Sequence, residues 1–352
     1  MIIERVAEVV AERANSGEFS GVVLLQRDGV DLFADARGWA VRGHRVPNRI
    51  DTRFRIGSVS KAFTAVAVAQ LVDAGRLAYD TLVSASLGLG GSAIPAEVTV
   101  SQLLTMTAGI ADWFDESGDT DAEWDRLRRT VPIYLLRDNA DYLPLFVDLP
   151  PVAPVGDRHA YSNASYILLG ALVEAVSGQS YADYIRAHVF GPAGMADSDF
   201  VAIDDDVERV AEGYLPVSGN DTTAWRRNVY AVTPTGVADG GATSTAADLT
   251  RFLQALRAGR LATPSTTGRL LTPHVVERDE PVRGYRWRYG YGLYFLLDDT
   301  DHVVRYGLPG EEEGVSCRLF HYPDQGVDLT ILGNQSGCAL RLGWDIHDLI
   351  VA

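Results

Sequence analysis

The sequence predicts an α+β fold: an antiparallel sheet flanked by helices, with a mostly helical lobe inserted into it. Three observations carry this reading. Strand-like runs sit near both ends of the 352-residue chain. From about residue 76 to 235, helical pieces alternate with long polar or Pro-rich loops. The late strand candidates fit an antiparallel meander. Residues 1–75 and 236–352 are therefore assigned to a sheet lobe and 76–235 to the inserted lobe, as one unit.

Taken in order, residues 1–13 form an amphipathic helix whose charges interrupt every apolar run. A secretory leader would need an unbroken apolar stretch. Residues 21–26 and 30–36 read as strands joined at Asp28-Gly29, a strong hairpin signal. A helix is expected to start at Ser58 and run through Val72, with Gly75 near its C-cap. Residues 101–106 form a short capped helix, and 144–156, with Pro150, Pro151 and Pro154, a loop. Helices follow at 166–177, closed by Gly178, and at 181–190. Gly240-Gly241 leads into a helix over 246–256. Strands are expected at 289–295, 303–306, 315–322 and 327–332, and a closing helix at 341–351.

A net charge of −16 argues against nucleic acid or an anionic membrane surface as partner. No segment is long and apolar enough to span a bilayer. The chain reads as cytoplasmic, with Cys317 and Cys338 as reduced core thiols. The seven histidines show no metal spacing, and Asp204-Asp205-Asp206 lacks the glycine and alternating ligands of a calcium loop. No H-E-x-x-H, Walker A or G-x-S-x-G occurs. Neither a metal nor a cofactor is expected.

The chemistry concentrates in Phe54-Arg55-Ile56-Gly57-Ser58-Val59-Ser60-Lys61. A serine in a first helical turn lies among unpaired N–H groups at the positive end of the helix dipole. Lys61, three residues on, shares its face. Ser58 as a simple cap and Lys61 as a solvated lysine would explain the tetrapeptide alone. However, Lys61 is the only lysine in the chain, against 30 arginines. A lone lysine suggests chemistry that a permanently protonated guanidinium cannot perform. Tyr161-Ser162-Asn163, taken by itself, is a helix entry with Asn163 as N-cap and Tyr161 as a packing aromatic.

Over nearly its whole length the chain resembles the serine β-lactamase and penicillin-binding-protein superfamily, in particular its class C β-lactamase-like esterases and peptidases. Ser58-Val59-Ser60-Lys61 looks like the S-x-x-K motif and Tyr161-Ser162-Asn163 like the Y-x-N motif. Leu103-Leu104-Thr105-Met106-Thr107-Ala108-Gly109-Ile110 is similar to the family's L-L-T-H-T-S-G-I segment. Asp239-Gly240-Gly241 resembles its late glycine pair. The resemblance implies a β-lactamase/transpeptidase-like fold and an acyl-enzyme on Ser58. It implies that Lys61 and Tyr161 shuttle the proton, Tyr161 as phenolate or as partner of Lys61. Asn163 would hold Lys61 and the substrate's carbonyl oxygen. The Ser58 N–H would supply half of an oxyanion hole.

The third family motif, K-T-G or H-x-G, is altered. Leu308-Pro309-Gly310 stands in its place, with Leu308 where the cation is expected. Pro309 is expected to bend the strand. Glu311 falls where the second oxyanion N–H arises, and Glu311-Glu312-Glu313 is expected to turn at least one carboxylate into the cleft. The reading is a serine hydrolase for a small ester or amide, neutral or cationic in preference, and not a true β-lactamase. An acyltransferase on the same site and a non-catalytic binding protein are the rivals. The oligomeric state is left open.

Overall fold

The protein is described from a computed structural model covering residues 2–218 and 224–352. Eight strands form one antiparallel sheet: β1 (Gly21–Arg27), β2 (Val30–Arg37), β3 (Val275–Val282), β4 (Tyr285–Tyr289), β5 (Tyr294–Leu297), β6 (Val303–Glu312), β7 (Val315–Tyr322) and β8 (Val327–Gly333). Their order across the sheet is β2-β1-β8-β7-β6-β5-β4-β3. The first hairpin turns at Asp28 and Gly29, whose φ angles of 52° and 78° suit a two-residue primed turn. The chain's last strand then pairs with its first, Gly21 opposite Gly333 and Arg27 opposite Val327.

Strand β1 reads Gly-Val-Val-Leu-Leu because both of its faces are covered. Val22 and Leu24 join the larger core cluster, whereas Val23 and Leu25 join a second cluster on the opposite face. Helices α1 (Ile2–Asn15) and α2 (Lys61–Asp73) exemplify the two environments. On α1 only Val6 and Val10 are buried, so one stripe suffices. On α2 ten of its thirteen residues are buried, so it is apolar all round and passes through the main core. Helix α3 (Asn163–Ser177) packs on α2 and ends at Gly178 in the left-handed region. Helix α4 (Ala246–Arg257) is capped by Thr245. Helix α5 (Cys338–Val351) lies with α1 over the second cluster.

Three sequence expectations change. Ser58 does not open an α-helix: Gly57–Ser60 is a 3-10 turn, and α2 starts at Lys61. The strand expected at 289–295 is two strand ends, β4 and β5, separated at Gly290–Leu293 by a turn with Gly292 at φ 73°. Pro309 bends nothing. Strand β6 runs unbroken to Glu312, with Pro309 opposite Arg318. Its ladder to β5 stops at Gly307, so beyond that residue β6 has a free edge, where a missing N–H is tolerated.

Candidate active site

The free edge of β6 leans on the turn that carries Ser58. A Cβ on Gly310 would lie 2.1 Å from the Ile56 carbonyl oxygen, so only glycine permits this approach. Gly57 adopts φ 51°, and a Cβ there would sit 3.0 Å from the backbone nitrogen of Glu311. The Glu311 N–H and the first turn around Ser58 thus lie side by side. Two arginines fasten the edge. Arg55 Nε donates to Glu312 Oε2 at 2.6 Å, and Arg318 pairs with Glu311 at 2.6 Å.

Lys61 Nζ lies in the core below Ser58, with no solvent exposure. It contacts Ser58 Oγ at 3.0 Å, Asn163 Oδ1 at 2.7 Å and the Asp239 carbonyl oxygen at 2.5 Å. Burial lowers the Lys61 pKa from its usual value, opposed chiefly by Asp239 and then by Glu116 and Asp112. A neutral amine has two hydrogens and one lone pair. As an ammonium, Lys61 donates to all three oxygens; in its neutral form, hydrogens kept on Asn163 Oδ1 and the Asp239 carbonyl would leave the lone pair for Ser58. Tyr161 Oη lies 2.6 Å from Ser58 Oγ. Burial pushes the Tyr161 phenol well above its ordinary value, with Glu116 adding to the effect. Burial thus disfavours the phenolate, and either hydroxyl can donate in the Tyr161–Ser58 hydrogen bond.

Tyr161 and Asn163 are set by the start of α3. Its N-cap is Ser162, not Asn163, because the Ser162 hydroxyl accepts from Ser165 N. Asp112 accepts from the backbone N–H of Asn163 at 2.6 Å and of Ala164 at 2.9 Å. Burial nevertheless raises Asp112 to about 7. Trp113 Nε1 donates to Asp239 Oδ2 at 2.9 Å, and burial raises Asp239 to about 6. Asn163 Nδ2 donates to Glu116 Oε1 at 2.7 Å, which leaves one amide hydrogen for a substrate oxygen.

Two cavities open from Ser58. One has Trp113, Phe114 and Trp124 on its wall together with Glu116 and Glu312. The other reaches past Tyr161, Leu308 and Pro309 toward Arg158. Glu116 and Glu311 border both. Leu308 is only 1% exposed and supplies no charge. All three glutamates of the 311–313 run border the aromatic cavity. Glu312 and Glu311 are neutralised by Arg55 and Arg318, and Glu313 accepts from Ser336 Oγ at 3.2 Å. The run is thus not the bare acidic surface that the sequence suggests. The residues that sequence reading missed are Asp112, Glu116 and Asp239's interactions. Residues 112–116 lie more than 40 positions from either motif, and only the fold brings them in.

The model of the Beta-lactamase family matches residues 6–348. The chain belongs to the β-lactamase family. It is 32% identical over 313 residues to penicillin-binding protein 4 of Amycolatopsis lactamdurans, a match covering 86% of this chain and 78% of that protein. It is 32% identical over 302 residues to esterase EstB of Burkholderia gladioli, covering 79% of this chain and 75% of that one. The crystal structure of a penicillin-binding protein from Bacillus halodurans superposes with a TM-score of 0.88 at 35% identity, covering 98% of this chain and 99% of that one. The β-lactamase/transpeptidase-like fold expected from the motifs is the fold observed.

Proposed function

We propose that this member of the β-lactamase family is a serine hydrolase that cleaves a small ester or amide through an acyl-Ser58 intermediate and is not a true β-lactamase. The observation that carries the reading is Ser58 Oγ held between Lys61 Nζ at 3.0 Å and Tyr161 Oη at 2.6 Å. Neutral Lys61 takes the hydroxyl proton as Ser58 Oγ attacks the carbonyl carbon. The carbonyl electron pair moves to oxygen, facing the N–H groups of Ser58 and Glu311. The bond to the leaving group breaks as that group takes a proton from Tyr161, which Lys61 restores. Water then releases the acyl group.

A second acceptor could enter where the leaving group departs, because the cavity beyond Tyr161 stays open to Ser58. An alcohol or amine there would turn hydrolysis into acyl transfer. The substrate is a small molecule, neutral or cationic, since Leu308 offers no cation for a carboxylate. Two free, buried thiols, Cys317 and Cys338, support a cytoplasmic setting.

A fluorophosphonate probe, read by intact mass, tests the reading. One adduct should form on the wild type and none on Ser58→Ala, which should also lose ester turnover while keeping its fold. Undiminished turnover by the alanine variant would remove the mechanism.

A further inference from the structure

Beyond Gly307 the outer edge of β6 has no strand beside it, because the ladder to β5 ends there, and Pro309 has no N–H to offer. Yet two residues after Pro309 the Glu311 N–H lies close against the Ser58 turn. A Cβ on Gly57 would sit 3.0 Å from its nitrogen. Successive side chains of a strand point to opposite faces, so the two glutamates here hold the edge in different directions. Glu312 goes to Arg55, in the segment that leads to Ser58. Glu311 goes to β7 and to the start of α5.

Glu311 Oε1 accepts from Ser316 Oγ at 2.8 Å and pairs with Arg318 at 2.6 Å. Ser316 is its direct partner across the β6–β7 ladder. Glu311 Oε2 accepts at 3.3 Å from the N–H of Gly337, the N-cap of α5. Ser316 Oγ in turn accepts from Ala339 N at 2.9 Å, in the first turn of that helix. Arg318 is buried and also donates to the Cys317 carbonyl oxygen at 2.6 Å, so it is fixed on both sides. Hydrogen bonds to an ionised group are the strong ones. One carboxylate thus joins the end of β6 to β7 and to a helix seated on the second core cluster. Ser316, Arg318 and Gly337 border neither cavity at Ser58, so these bonds turn the carboxylate toward the scaffold.

We infer that the Glu311 side chain is a positioning group for the oxyanion site: by binding Ser316, Arg318 and Gly337 it aims its own backbone N–H at the point where the substrate's carbonyl oxygen becomes an anion. The inference rests on the hydrolase reading above. It runs against simple electrostatics. A carboxylate beside a developing oxyanion opposes it by like charge, so a Glu311 that acted only as a charge would slow the reaction and its removal would help. A well-placed donor is worth more, since losing one oxyanion N–H costs about 10²–10³ in rate. Half of the Glu311 charge problem is also removed by Arg318, which pairs with it. Positioning therefore outweighs repulsion, and removing the side chain hurts.

The test uses phenylboronic acid, whose boron takes an electron pair from Ser58 Oγ while the hydroxyl proton passes to Lys61, giving an anionic tetrahedral adduct. Benzamide, neutral and planar, is the ground-state partner. By calorimetry Glu311→Ala should bind the boronic acid about ten-fold more weakly than the wild type and benzamide within about two-fold, and its acylation by a chromogenic ester should slow about ten-fold or more. Glu311→Gln keeps an oxygen for Ser316 and should lose clearly less. Tighter boronate binding by Glu311→Ala would mean that only its charge matters. Equal losses on both ligands would mean general damage to the cleft. Either result overturns the inference. Ser316→Ala decides the matter if Glu311→Ala does not fold: it removes one bond to the carboxylate, and boronate affinity should fall about three-fold or more with benzamide unchanged. Unaltered boronate affinity in that variant overturns the inference as well. A wild type that neither reacts with the fluorophosphonate nor binds the boronic acid removes the hydrolase reading and this inference together. A wild type that does both, with variants that match it, removes this inference alone.

Discussion

Arg55 Nε meets Glu312 Oε2 at 2.6 Å, with the two side chains 9% and 19% exposed. The pair ties the segment leading to the Ser58 turn to the free edge of β6. Leu308 gives that edge no charge of its own, and the edge is held instead from the side by an arginine.

Breaking that pair on one side leaves a nearly buried charge without a partner. Arg55→Met should destabilise the fold by about 3 kcal/mol, measured by denaturant unfolding. Arg55→Met combined with Glu312→Leu should cost clearly less than the sum of the two single changes. Full additivity would show that the two charges do not act on each other.

Lys61→Met and Tyr161→Phe should each slow acylation by about 10²-fold or more, the usual effect of a positioned proton-transfer group. The double variant should fall far short of additivity, because both groups serve one proton path. Stopped-flow acylation with a chromogenic ester measures this. Normal acylation by Tyr161→Phe would reduce Tyr161 to a packing aromatic.

Acylation needs Lys61 neutral, so kcat/KM should rise with pH and level off above the lysine's lowered pKa. Asp239 is the strongest influence holding that value up. Removing its charge in Asp239→Asn should lower the Lys61 pKa further and move the acid limb toward lower pH. A limb that stays in place, or moves upward, would show that another group titrates.

Benzylpenicillin and cephalosporins should be poor substrates. Their carboxylate would meet buried Leu308, and Arg55 and Arg318 are already committed to glutamates. Nitrocefin turnover with enzyme far below substrate would refute this.

How much of this the sequence shows depends on the range of the interaction. The hairpin at Asp28-Gly29 and the end of α3 at Gly178 are local matters of backbone freedom, and both were readable. Ser58 and Lys61 were readable because one turn of chain joins them. The continuity of β6 through Pro309 was not, because it depends on where the ladder to β5 ends. The charge state of residues 311–313 was also hidden, since Arg55 lies 257 positions from Glu312 along the chain. Glu116 gave no signal at all: its neighbours Asp112 and Asp115 look like the same acidic loop, and only the hydrogen bond from the Asn163 side-chain amide separates it from them.

The pairing of β1 with β8 bears on how this molecule comes into being on the ribosome. Ser58, Lys61, Tyr161 and Asn163 are all translated while β6, β7 and β8 are still to come. The nascent chain therefore carries its nucleophile early but has neither the Glu311 N–H nor the strand that walls the cleft. Until β6 is in place the oxyanion site and the cleft wall are incomplete, so a chain cut before β6 should not be acylated. The same delay leaves β1, an apolar segment, with one edge open after β2 has formed. An open edge of that kind invites association with other chains. A product truncated before β8 should therefore be found aggregated rather than partly active.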